Sequence, residues 1–396
     1  MRIILVVDTF PSISETFIST KADQLSRRGH KVTVFCVKRN RQLLHDLFGA
    51  QPGVKVVLLN MPKLVLYLLS HPFVCFHAFF KEKDLRQYLL RRFRLHLIEA
   101  QKPDIIHFEF SGIGIDYLYE IERLSCKKVA SCRGSAEKVK LLIFEERKEK
   151  FIQLMKVIDA VHCVSHDMVN TIRPYCKQQE KIFVNFPSID ANFFYRKKNK
   201  TRSATKFILS VGRMTFQKGY TNALLAAKLL KESGVRFTWV IVGSGNKYEE
   251  IVFKLHQLKL ENEVMLMGAK SRQRVRSLME GADIFFLPSV YEGIANVVLE
   301  AMAMELPVVA TKSGGMAEVI DHETDGLLTE VHDYAAMASC LERLCDDEVF
   351  CDHLGKNARK KITACFNIET QITKFERAYK ALKLNGHLLF TQDATT

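Results

Sequence analysis

The sequence has ten cysteines but no C-x-x-C pair and no Cys/His ligand spacing. That pattern excludes a zinc finger and a disulfide-stapled scaffold, and reads as reduced thiols packed as small hydrophobes. No apolar run is long enough for a clean transmembrane span. The opening "MRIILVVDTFP" is too short for a secretory leader and ends in an aspartate, so it is expected to be a buried first strand. Zinc-finger spacing, a basic zipper and an aromatic RNP pattern are all missing, which leaves no signature for nucleic acid. Acidic residues are in deficit, giving a formal net charge of +14. The deficit is local: the first 200 residues hold 34 Lys and Arg against 20 Asp and Glu, and the remainder holds 24 against 24. A basic half beside a neutral one predicts that one domain faces an anionic surface or ligand.

What is present is α/β alternation. The 396 residues suffice for two domains with separate cores. In the first half "RIILVV", "KVTVFCV", "PDIIHFEF", "KVASCRG" and "DAVHCVS" are buried-type strands between helical stretches. "NFFYRKKNKTRSAT" is polar and basic and reads as a linker over 192–205. The rhythm restarts with "KFILSVG", "FTWVIVG", "VMLMG", "ADIFFLP" and "LPVVAT". Continuous apolar strands alternating with helices imply parallel sheets covered on both faces. The expected architecture is two doubly wound, Rossmann-like domains, 1–191 and 206–366, facing each other across a cleft into which strand carboxyl ends point. A C-terminal helix, 367–384, is expected to pack back on the first domain, followed by a tail, 385–396.

Segment 61–98 breaks the pattern. "MPKLVLYLLSHPFVCFHAFF" is strongly apolar, and "KEKDLRQYLLRRFRLHLIEAQK" is basic with an apolar stripe. Two packed helices with a solvated face account for it. So does a helix pair on an anionic membrane, with Arg86, Arg91, Arg92 and Arg94 toward the lipid.

The second half carries the chemistry. "FILSVGRMTFQKG" puts Arg213 and Lys218 just after a strand end, where Gly212 allows close backbone approach; two cations in one loop can reach a diphosphate. "VIVGSGNKYEE" places Gly243 and Ser244 in a glycine turn that lacks the full G-x-G-x-x-G fingerprint. In "SVYEGIANVVLEAMAMELPVVA" a turn containing Glu292 and Gly293 leads to a helix starting near Ala295 or Asn296. The free amides of Ile294, Ala295 and Asn296 would form an anion site at the helix N-terminus. Glu292 is placed to accept from sugar hydroxyls, and Glu300 to accept from both hydroxyls of a ribose. The alternative is a helix whose two acids are a dipole-favoured first-turn acid and a surface acid.

"SVYEGIANVVLEAMAMELPVVATKSGGMAEVI" resembles the signature of retaining glycosyltransferases of family 4, which have the GT-B fold; Glu292 and Glu300 fit that family's Glu-x₇-Glu motif. "GRMTFQKG" matches its "GR…KG" loop, and "VGSGNKYEE", "ADIFFLPS" and "DGLL" extend the resemblance through the C-terminal half. "DTFPSISETFI" looks like the opening of bacterial exopolysaccharide and O-antigen transferases, without the Gly-Gly loop that many relatives have there. Ser12 and Glu15 have capping-box spacing, Ser14 can also cap, and the helix near Thr16 would offer amides to the cleft. "PDIIHFEF" resembles the family's "DIIHaH" strand end, with His107 at the first histidine and Glu109 at the second. "SCRGSAE" resembles its "HG-x-D" segment, with Arg133 replacing histidine and able to bind an anionic acceptor. "KIFVNFPSIDANFF" resembles the crossing between domains, with Ser188 where Gly is usual.

The resemblance implies a hexose donor bound in the C-terminal domain as a nucleotide-diphospho-sugar, UDP favoured and GDP possible. It implies an acceptor, glycan or lipid-linked, held mainly by the N-terminal domain. Arg213, Lys218, Glu292 and His107 are the expected catalytic set. Gly212, Gly243, Ser244, Gly293, Ile294, Ala295, Asn296 and Glu300 are expected at the donor, and Ser14, Glu15, Thr16, Glu109 and Arg133 at the acceptor or cleft. No D-x-D metal holder follows a strand, so metal independence and no cofactor are expected. A basic N-terminal half acting on a membrane-linked acceptor would place the protein in the cytoplasm, peripheral on the inner face of the cell membrane. A sugar-nucleotide epimerase of the same architecture and a non-catalytic sugar-nucleotide-binding subunit are the competing readings.

Overall fold

A computed structural model describes residues 1–12, 15–40, 42–44, 53–71, 84–196 and 203–388. The chain forms two compact units. One comprises Met1–Val164, Val169–Asn185 and Ile372–Thr396, and the other Ser165–Met168 and Phe186–Gln371.

The first unit holds a parallel seven-stranded sheet. Its strands are β1 (Arg2–Phe10), β2 (Lys31–Arg39), β3 (Lys55–Leu58), β4 (Ile105–Phe108), β5 (Lys127–Cys132), β6 (Ala160–Cys163) and β7 (Ile182–Val184), in the order β3-β2-β1-β4-β5-β6-β7. Strands β4 and β6 are buried at every position, as a sheet covered on both faces requires. The helix Thr16–Arg27 turns Ile18, Ala22 and Leu25 inward and ends before Gly29, whose φ is +84°. Its N-cap is Glu15, whose side chain makes no capping bond, so the expected Ser12–Glu15 capping box does not form; Ser14 lies outside the described residues.

The last helix, Ile368–Asn385, belongs to this unit from Ile372 onward. Ile372, Phe375, Tyr379 and Leu382 are buried, at helical spacing. Glu376 anchors it by accepting from Arg28 and His30, each at 2.6 Å.

The second unit holds a parallel six-stranded sheet of β8 (Lys206–Val211), β9 (Phe237–Val242), β10 (Val264–Gly268), β11 (Ile284–Leu287), β12 (Val308–Thr311) and β13 (Leu327–Thr329), ordered β10-β9-β8-β11-β12-β13. Two apolar layers sandwich it, one around Leu299, Met302 and Ile362, the other around Trp239, Leu224 and Leu341. Each fully buried aliphatic or aromatic side chain there contributes about 1.5–3 kcal/mol. The chain enters this unit at Phe186, before the expected boundary, because Ile189 bridges to Asn367 and Gln371 bonds both Ser188 Oγ and the Phe186 carbonyl.

The orders place a switch point between β1 and β4 in one sheet and between β8 and β11 in the other. Ligands of open α/β sheets bind outside the carboxyl ends of such strands.

Candidate active site

At the carboxyl edge of the second sheet four loops meet backbone to backbone, in two pairs. Gly243, with φ +153°, lies so close to the loop after β8 that a Cβ would sit 1.9 Å from the Gly212 carbonyl oxygen. Gly314, with φ +62°, makes an equally close approach to the Glu292 carbonyl, and the Gly315 amide donates to the Gly293 carbonyl at 2.9 Å. The Met214 amide donates to the Ser244 carbonyl at 2.9 Å. Gly212 makes room for the protein itself: a Cβ would lie 3.1 Å from Lys218 Cε.

Lys218 and Glu292, expected to act on different parts of a substrate, form one ion pair of 2.5 Å. Both are buried. Glu292 also accepts from Ser289 Oγ at 2.7 Å and from Gln217 Nε2 at 3.1 Å. Arg213 is exposed and makes no ion pair with a described residue. Buried beside this group, the Tyr220 hydroxyl finds no partner among the described residues.

The helix Asn296–Ala303 starts with Ala295 as N-cap and no side-chain cap. Its first amides therefore remain available to a ligand. Glu300 is half-buried, and its carboxyl has no hydrogen-bond partner among the described residues. Burial pushes its pKa up to about 7, against the opposing charge of Arg272.

In the first unit, His107 lies within β4, one residue before its end, and Glu109 and Arg133 directly follow β4 and β5. His107 is fully buried and bonded on both nitrogens, so it ties the interior together instead of presenting a ring to a substrate. The proton order can be read off. His162 Nε2 donates to the Asn185 carbonyl at 2.8 Å, so its Nδ1 accepts from the Ser131 hydroxyl at 2.8 Å. Ser131 Oγ then accepts from His107 Nε2 at 2.8 Å, and the single lone pair of His107 Nδ1 is shared between the Tyr379 hydroxyl at 2.6 Å and Lys21 Nζ at 2.9 Å. Burial holds both imidazoles neutral, their pKa values well below the ordinary range. Glu109 is equally enclosed, taking Lys21 Nζ on one oxygen and Arg133 Nη2 on the other, each at 2.7 Å. Its carboxyl would rise on burial, but the two cations outweigh that and hold it low. Of this trio Arg133 alone keeps an exposed part, at 13% of its side chain.

Sequence reasoning missed Lys21, Ser131, His162 and Tyr379. Their only signal was a lysine on the buried face of an amphipathic helix and polar residues inside apolar strands. Of the arginines in 61–98, Arg94 lies over the Tyr117 ring at 4.4 Å and 3.7 Å from Glu120, and Arg91 faces the Tyr119 ring at 5.4 Å, while Val65, Leu66 and Leu69 of the same segment are exposed. Within 61–98 the helices Met61–Ser70 and Leu85–Glu99 form and share a cluster of Leu64, Tyr67 and Phe93; 72–83 lies outside the described residues.

Two family models cover most of the chain: "Glycosyltransferase Family 4" matches residues 14–193 and "Glycosyl transferases group 1" matches 192–361. The amylovoran biosynthesis glycosyltransferase AmsK of Erwinia amylovora is 30% identical over 66% of either chain. The putative colanic acid biosynthesis glycosyltransferase WcaL of Escherichia coli is 29% identical, again over 66% of each. The matched part thus spans just under two-thirds of these relatives. An uncharacterized glycosyltransferase of Methanocaldococcus jannaschii is 24% identical over 92% of this chain and 93% of its own. Among solved structures, Anabaena HepE in complex with UDP-glucose superposes with a TM-score of 0.78 at 17% identity, over 96% of this chain and all of that one. Sucrose-phosphate synthase from Thermosynechococcus elongatus gives 0.77 at 18% identity, over 96% and 99%. The two Rossmann-like units are those of the GT-B fold, and the chain belongs to glycosyltransferase family 4.

Proposed function

We propose that the chain is a retaining glycosyltransferase that moves a hexose from a nucleotide-diphospho-sugar, with UDP favoured over GDP, to a lipid-linked or oligosaccharide acceptor in cell-surface polysaccharide synthesis. One observation carries the reading. At the switch point of the second sheet, the uncapped start of the helix Asn296–Ala303 occurs together with Arg213 and the half-buried Glu300, neither of which has an ion-pair or hydrogen-bond partner for its side chain among the described residues. This set matches a diphosphate followed by a ribose.

In this reading Glu300 accepts from the ribose hydroxyls. The amides of Ile294, Ala295 and Asn296 and the cations Arg213 and Lys218 meet the diphosphate. Cleavage at the anomeric carbon leaves negative charge on the departing phosphate, and these donors stabilise it without reorganising. Glu292 holds Lys218 in place through its ion pair and offers acceptor atoms to the sugar. The glycine-rich turn at Gly243 and Ser244 and the loop at Gly212 and Gly293 form the donor floor. The acceptor belongs to the first unit, near the carboxyl ends of β4 and β5 and the start of the helix at Thr16. The names of AmsK, WcaL and the E. coli "UDP-Gal:alpha-D-GlcNAc-diphosphoundecaprenol alpha-1,3-galactosyltransferase", 26% identical over 73% of this chain and 78% of its own, support polysaccharide chemistry and a lipid-linked acceptor.

No helix among the described residues is long and apolar enough to cross a membrane. A peripheral site on the inner face of the membrane is the proposed location. Its contact is the segment Leu142–Phe144, where three consecutive large apolar side chains are 77%, 63% and 55% exposed. Buried Leu141 anchors the segment, and the amides of Leu142, Ile143 and Phe144 are all bonded within the chain. That turn can enter a headgroup layer without leaving those donors unpaired.

Incubation with a panel of UDP- and GDP-sugars, followed by NMR of the product's anomeric proton, tests the reading. Transfer with the donor's configuration kept is expected. Inversion, or release of an isomerised nucleotide sugar with no transfer, would refute it.

A further inference from the structure

Three charges stand in a row inside the first unit. Lys21 and Arg133 bracket Glu109, each 2.7 Å from one of its carboxylate oxygens. Lys21 is 2% exposed and Glu109 not at all. The row holds two cations and one anion in an interior that solvates charge poorly, with the buried Glu137 carboxyl beside it, accepting from the Arg133 amide at 3.3 Å and the Gly134 amide at 3.0 Å. The nearby imidazoles of His107 and His162 are neutral and contribute no charge. The ring of Phe375, 3.9 Å from Lys21 Nζ, closes the inner end of the row.

The outer end is open. A guanidinium carries five N–H donors. Arg133 gives Nε to the Glu109 carbonyl at 2.9 Å and one Nη2 donor to the Glu109 carboxylate. Its other three donors have no partner among the described residues. The Phe17 ring, 4.3 Å from its central carbon, fixes the plane of the fork. Arg133 follows the carboxyl end of β5, whose neighbour β4 borders the switch point.

We propose that Arg133 is the receptor for an oxyanion, phosphate or carboxylate, carried by the acceptor. A planar fork held by a buried carboxylate is pre-organised for two parallel bonds to such a group. The charge of the guanidinium and its open N–H donors supply the attraction. Assigning the anion to an acceptor rests on the glycosyltransferase reading; the oxyanion site itself does not.

The test uses the full-length chain carrying Arg213→Gln, so that the exposed cation of the second unit does not compete. Inorganic pyrophosphate and malonate are titrated calorimetrically at pH 7, the first probing phosphate and the second carboxylate. Loss of a charge-assisted bond is expected to weaken binding about 10- to 100-fold in Arg133→Gln. Arg133→Lys, which keeps the charge but not the fork, is expected to fall between. The arm that loses affinity identifies the class of anion. Equal affinity for both probes with and without Arg133→Gln, or no binding of either, would overturn the proposal. UDP-glucose titrated into the Arg133→Gln protein without the second substitution reports the donor site separately, so the two readings fail independently.

Discussion

Glu300 offers the sharpest test of the donor site, because its carboxyl is poised at about 7 in the unliganded protein. Burial disfavours the charge, and the ordinary value for a glutamate is near 4.3. Two ribose hydroxyls donating to the carboxylate would favour the ionised form, so binding would release a proton. The sign follows: donor affinity rises as pH increases through 7 and falls below it. About one carboxyl in eleven is ionised at pH 6 and about ten in eleven at pH 8, so affinity should change up to about tenfold, or about 1.4 kcal/mol.

The assay is calorimetric titration with UDP-glucose between pH 6 and 8. Both its phosphates are esterified, whereas a free terminal phosphate would titrate near pH 6 and confuse the profile. In Glu300→Gln, which keeps the shape but cannot ionise, the profile should be flat and the affinity at pH 8 reduced. A flat profile in the wild type, or the same slope in Glu300→Gln, would show that this carboxyl does not meet the ribose.

Turnover should survive EDTA, since Arg213, Lys218 and the helix N-terminus are assigned the whole leaving-group charge; loss of activity restored by Mg²⁺ or Mn²⁺ would refute that assignment. Gly243→Ala should destabilise the second unit by several kcal/mol, because the new Cβ would collide with the Gly212 carbonyl at 1.9 Å; an unchanged melting temperature would contradict the loop packing. Replacing Leu142, Ile143 and Phe144 together by Ser should weaken sedimentation with phosphatidylglycerol vesicles about 100-fold, counting roughly 1 kcal/mol for each exposed side chain. Equal sedimentation of variant and wild type would remove the membrane from the reading.

Most of the sheet architecture was legible because buried parallel strands leave a mark that few other elements share. Ile284–Leu287 in "ADIFFLP" and Val308–Ala310 in "LPVVAT" are unbroken apolar runs, and β11 and β12 are buried at every position. β3 and β7 are only partly buried, with burial broken along the strand, and β13 carries three residues, so none of them stands out as a continuous apolar run. The loops were legible for another reason. Gly243, read as part of a glycine turn after a strand, sits where only hydrogen fits, as does Gly314, which the sequence reading did not single out.

The charged interior was not legible, and its geometry says why. Lys21 meets His107 86 positions away, and His107 meets Tyr379 272 positions away. Local pattern carries no information about pairs at such separations. A lysine in "STKADQLSRRG" looks like one more solvated cation, although Lys21 lies on the same face as Ile18, Ala22 and Leu25. The same difficulty applies to Arg94, whose guanidinium covers a tyrosine. A basic side chain has an apolar stem and a head that stacks on rings, so its sign alone does not predict which way it faces. Net charge therefore indicates that the N-terminal half meets something anionic, but only the partners of each cation separate the neutralised ones from the available ones. Lys21 is paired with Glu109 and Lys218 with Glu292, while Arg213 and the outer edge of Arg133 remain open. Of these four cations the ones left open among the described residues are therefore the two arginines, one in each unit and each just past the carboxyl end of a strand, while Lys218 is assigned to the diphosphate from within its ion pair with Glu292.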